Sequence, residues 1–330
     1  MESGKWKKNK ACFFSIFFSC LLTAVVCLLS SVFCHLSLAS EASRSGFLEQ
    51  ADRAYSRGSL EESTKLYEKE VAENPANAAA YLSLGVNYAE QKNWDKSAAS
   101  LKKAAELDPE NGETFLNLSL VYAEKEDFDQ ALSFAEKAVK ADPKSSKARH
   151  ALGLAYEGAG EPVKAADAYR QAARLDPQNS DVYLSLGNLY SRQNDLKNAQ
   201  GAYEKAIQAD PKNVFAYSNL AYVFQERGEN QKAVDSLMRA AEIAPNDEVA
   251  WYDLGAAYAK ENDYSKAIEC YEKSVSLKPD FYKACLSLAM AYEKQKELAK
   301  AAEFYTKAMS LTDNPRLKEA ILRQITRSSD

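Results

Sequence analysis

Seven of the nine prolines, Pro75, Pro109, Pro143, Pro177, Pro211, Pro245 and Pro279, stand 34 residues apart. A chain punctuated at one fixed interval is built from a single supersecondary unit stacked on copies of itself. Its length then counts units rather than independent cores. Residues 180–213, SDVYLSLGNLYSRQNDLKNAQGAYEKAIQADPKN, form the most regular copy. Tyr183, Leu186, Gly187 and Tyr190 mark a first helix, and Ala199 and Tyr203 mark a second. Pro211 closes the unit, because the residue before a proline is pushed out of the helical region.

The copies in register are 44–77, 78–111, 112–145, 146–179, 180–213, 214–247, 248–281 and 282–315. Two columns stay small throughout: Gly85, Ser119, Gly153, Gly187, Ala221, Gly255, Ala289, and Ser97, Ala131, Ala165, Ala199, Ala233, Ala267, Ala301. Small residues there let paired helices approach closely. The Leu84-to-Leu288 and Tyr88-to-Tyr292 columns recur three to four residues around each first helix and supply its apolar face. Pro162 is off the ladder and is expected to open a second helix, where its missing N–H costs little. The first copy is degraded at Gln50, Ala54, Ser63 and Glu70, as expected of an end unit with a polar outer face. In residues 316–330, Leu317, Ile321 and Ile325 recur at four-residue spacing and predict a capping helix.

The spacing aromatic-x2-L-G-x2-Y, A-x3-Y, P resembles the tetratricopeptide repeat family over residues 44–315. The resemblance implies an all-α solenoid, a right-handed superhelix of helix pairs. Its first helices would line a concave groove that holds an extended peptide or a partner helix. By that analogy the groove candidates are Leu82, Val86, Leu116, Leu120, Leu154, Leu184, Asn188, Tyr222, Tyr252 and Met290, with Asn117 and Asn219 from an adjacent column. Apolar helix stripes are usually core, so these leucines are either packed between helices or an apolar groove for a hydrophobic peptide. Members that grip the acidic C-termini of cytosolic heat-shock chaperones use a Lys and two Asn, then a Lys and an Arg. The best window here offers Leu82, Val86, Asn117, Lys147 and Ala151, which fills two of the five roles and excludes that clamp.

The N-terminal forty residues are of another kind. Lys5, Lys7, Lys8 and Lys10 precede twenty-four uncharged residues, Ala11 to Cys34. That length favours a membrane anchor, since a spanning helix needs about 20 residues and a signal peptide about 7 to 15. Ser37 and Ala39 also offer a cleavage site after Ala39, which would release a secreted or periplasmic protein. In both readings the lysines stay cytoplasmic and the repeats face the extracytoplasmic side. Lipid attachment at Cys20 is a weaker third reading, because Phe18 is bulky for such a signal.

The remaining residues say little about chemistry. Net charge is −5 and there is no Arg-rich run, which argues against a nucleic-acid partner. There are two histidines, no C-x-x-C pair and no Cys/His cluster, so no metal site, cofactor or catalytic constellation is expected. His150 reads as a surface or groove residue, and the Asn117-Leu118-Ser119 sequon lies within a helix. Cys270 and Cys285 fall on consecutive helices and are level across a turn, either as a disulfide or as two buried thiols. The expectation is a non-catalytic exported scaffold. The alternative is a self-associating component of an envelope or secretion assembly.

Overall fold

The computed structural model describes residues 46–329, and the hydrophobic N-terminal segment lies outside the described residues. Within them the chain forms seventeen helices and no strand. The helices pair as α1 (Gly46–Ser56) with α2 (Leu60–Glu73), α3 (Ala78–Glu90) with α4 (Trp94–Leu107), α5 (Gly112–Glu124) with α6 (Phe128–Ala141), and α7 (Ser146–Gly158) with α8 (Pro162–Leu175). The series continues with α9 (Ser180–Arg192) and α10 (Leu196–Ala209), α11 (Val214–Glu226) and α12 (Asn230–Ile243), α13 (Glu248–Lys260) and α14 (Tyr264–Leu277), and α15 (Tyr282–Lys294) and α16 (Leu298–Ser310). It ends on α17 (Pro315–Ser329). The chain is an all-α solenoid. It divides into two compact units, residues up to Val182 and residues from Tyr183 onward.

Local chemistry repeats with the same period as the prolines. The turn inside each pair carries one residue with positive φ at positions 58, 92, 126, 160, 194, 228, 262 and 296, each 34 apart. Glycine fills three of them, and Lys92, Glu126, Asn194, Asn262 and Lys296 accept the left-handed conformation without one. Helix starts are capped by side chains that accept from the first turn, among them Asn77, Asn93, Asn111, Asp127, Ser145, Asp195, Asn213 and Asp263. Pro162 occupies the first turn of α8, where no donor is needed.

The small columns do what the spacing predicts. A Cβ on Gly187 would stand 2.5 Å from Tyr203 Cε1, and one on Gly85 would stand 2.5 Å from Leu101 Cγ. Where the column holds serine, the hydroxyl crosses the same gap. Ser97 donates to the Gly85 carbonyl at 2.7 Å and Ser119 to the Ala131 carbonyl at 2.9 Å.

The first repeat differs from its reading as a unit with a polar outer face. Gln50 is exposed, but Ala54, Ser63 and Glu70 are buried. Burial is tolerated because the polar groups are bonded: Ser63 Oγ accepts from Asn87 Nδ2 at 2.5 Å, and Glu70 accepts from Asn74 and Asn77. At the other end, Ile321 of α17 is buried in a cluster with Tyr305 and Ala308, and Leu317 and Ile325 pack against it.

Candidate functional site

The side chains that the resemblance assigns to a groove divide by unit. In the first unit, Leu82 is 2 %, Val86 0 %, Leu116 5 % and Leu120 1 % exposed, and Leu154 is also buried. These residues are buried and do not form an open apolar channel. Asn117 is 1 % exposed and donates to the Glu113 carbonyl at 2.9 Å, so its sequon is closed to modification in the fold. His150 is not a surface residue: it is fully buried with its ring edge-on to Tyr169 at 5.5 Å. Burial holds it largely neutral by lowering its pKa to about 4.

In the second unit the corresponding columns are more open. Leu184 is buried, whereas Asn188, Asn219, Tyr222 and Tyr252 are half-buried and Met290 is 52 % exposed. Asn188 Oδ1 accepts from Tyr203 Oη at 2.8 Å and from Asn219 Nδ2 at 2.8 Å. Two successive repeats are thereby tied by a side-chain amide pair. Tyr252 packs tilted against Tyr271 and Phe281, with centroids 5.8 and 5.2 Å away. Beside it, burial raises the pKa of Asp253 to about 7; Asp247 adds to the shift and Lys283 opposes it. Burial also lowers the pKa of Arg192 to about 10. This face combines amides, phenol rings and an exposed thioether, which suits a polypeptide backbone with aliphatic or aromatic side chains.

Sequence reasoning passed over part of this face. Arg192 shares its column with Ser56, Glu90, Glu124, Gly158, Glu226, Lys260 and Lys294, which is too mixed to single it out. Also unforeseen was the reach of the second-helix tyrosines. Tyr67 bonds Asp52 at 2.8 Å, Tyr169 bonds Glu157 at 2.6 Å, Tyr203 bonds Asn188 and Tyr305 bonds Glu293. A core ring thus sets the rotamer of a polar residue on the first helix.

The disulfide between Cys270 and Cys285 is not formed. Both thiols are free and buried, and they belong to different core clusters. Burial raises the Cys270 thiol to about 12. Among the described residues no group of three or more His, Cys, Asp or Glu is placed to hold a metal ion. No helix among them is long and apolar enough to cross a membrane.

No curated protein matches the chain. Among solved structures, yeast Tom70 is similar at 17 % identity, covering 92 % of this chain and 69 % of that one, with a TM-score of 0.61. Pseudomonas aeruginosa PilF is similar at 20 % identity, covering 64 % and 97 %, with a TM-score of 0.55. MamA shares 31 % identity over 48 % of this chain and 94 % of that one, with a TM-score of 0.46. The first two likenesses show the fold. Family models described as tetratricopeptide repeat match residues 48–112, 116–180, 180–213, 202–235, 249–281 and 282–315. The chain belongs to the tetratricopeptide repeat family.

Proposed function

We propose that this protein is a non-catalytic scaffold that holds a peptide or partner protein against the first-helix face of its second unit. The observation that carries the reading is the half-buried set Asn188, Asn219, Tyr222 and Tyr252, with Met290 exposed. Amide groups on such a face bond a backbone of any sequence, while the rings and thioether select side chains. The basic flank and uncharged stretch at the N-terminus support a membrane-attached, exported setting with the repeats on the extracytoplasmic side. Cleavage near Ala39 would instead give a secreted or periplasmic form.

The test is selection of a random-peptide library on the full chain, followed by titration of the enriched peptides. Asn188→Ala and Tyr252→Ala should each weaken binding about tenfold, the loss typical of a truncated anchor side chain. Peptides that bind both variants as tightly as the parent would exclude this face.

A further inference from the structure

On α13 of the second unit, one side chain has no part in the peptide reading. Asp253 stands 34 residues after Asn219, in the same column, and next to Tyr252. Asn219 spends its amide on Asn188. Asp253 is half-buried and, among the described residues, forms no hydrogen bond or ion pair. A carboxyl taken partly out of water is costly to ionise unless a partner offsets the loss, and burial accordingly raises its pKa to about 7. The two charged groups that act on it do not supply that partner. Asp247 adds to the shift, and its own carboxyl already accepts from the Val249 N–H at 2.8 Å. Lys283 is exposed on α15 and opposes the shift without closing an ion pair. Two carboxyls therefore act at this spot against one ammonium. The same unit exposes large apolar side chains on three successive first helices: Phe215 on α11, Val249 on α13 and Met290 on α15.

We propose that the partner held on this face is a polypeptide segment with a lysine or arginine set among apolar residues, its cation seated on Asp253 and its apolar neighbours on Phe215, Val249 and Met290. The inference rests on the peptide reading of the second unit and names the chemistry that this face selects. Charge complementarity decides the sign. An acidic segment would set like charge against Asp253 and Asp247. A purely apolar one would cover Asp253 without a partner, which costs free energy in either protonation state. A cation instead keeps Asp253 ionised and replaces the water it loses with a charge-assisted hydrogen bond. The apolar contacts supply buried area, and the ion pair fixes register and rejects the wrong sequence.

The experiment is selection of a random-peptide library on the full chain and on its Asp253→Asn and Asp253→Lys variants, followed by titration of the enriched peptides. The parent should enrich peptides with lysine or arginine between apolar residues. Asp253→Asn should lose that bias, and Asp253→Lys should enrich aspartate or glutamate at the same place. A basic peptide selected on the parent should bind Asp253→Asn about tenfold more weakly, and its analogue with norleucine in place of the basic residue should lose a similar factor on the parent. Changing both partners should cost little more than changing either one. The norleucine analogue keeps the test decisive should a variant at position 253 fail to fold. Peptides that are weakened by Tyr252→Ala but carry no basic residue, or that bind the parent and Asp253→Asn equally, would overturn the cation and leave the peptide reading standing. No enrichment at all, or peptides indifferent to both Tyr252→Ala and Asn188→Ala, would overturn the two together.

Discussion

Tyr203 of α10 donates its hydroxyl proton to Asn188 Oδ1 of α9 at 2.8 Å, while its ring fills the gap above Gly187. One buried side chain therefore fixes the spacing of a helix pair and also aims a residue of the candidate site. Asn188→Leu removes the acceptor shared by Tyr203 and Asn219 and so breaks both of those hydrogen bonds. It should destabilise the protein by about 1–3 kcal/mol, read as a lower urea midpoint with unchanged slope. Asn219→Ala leaves the Tyr203 bond intact and should cost less.

Gly187→Ala tests the close approach itself. The added methyl meets the Tyr203 ring at 2.5 Å, and the ring is anchored at its hydroxyl. Overpacking of this kind costs about 1–3 kcal/mol. A Tyr203→Leu background should relieve most of that penalty, and a thermal-denaturation cycle over the four proteins would measure the coupling. Strict additivity would contradict the contact.

Two buried titratable groups give pH dependences of opposite sign. Asp253 is raised to about 7 from 3.8 in the fold, so the native state holds more protons than the unfolded chain between those values. Its contribution falls as pH rises through that window. Asp253→Asn should gain about 2.5 kcal/mol relative to the parent on going from pH 5 to pH 8. His150 is lowered to about 4 from 6.5, so stability is lost as pH falls through that range. His150→Phe should flatten the acid limb of a plot of Tm against pH.

The thiols of Cys270 and Cys285 should remain unreactive in the folded protein. Both are buried, and burial raises their pKa values, so the reactive thiolate is scarce. Iodoacetamide should label them only after denaturation. Mild oxidation should leave no bond between peptides containing residues 270 and 285.

The sequence by itself determined the period, the pairing of helices and the columns that must stay small. These are short-range consequences of side-chain size and of where proline interrupts the backbone: Gly187, Ala199, Tyr203 and Pro211 constrain neighbours within one repeat of themselves. The 34-residue ladder of positive φ is just as regular but is not announced by its residues, since only three of the eight are glycine. Only the tertiary structure decided which members of a regular column are exposed. Leu82 and Met290 lie in columns assigned to the same groove, yet one is buried and the other is open. Exposure depends on what packs against a helix from elsewhere in the chain. Periodicity within a repeat is blind to that, as it is to the reach of the Tyr203 hydroxyl onto Asn188 and to the separate clusters that keep Cys270 and Cys285 apart.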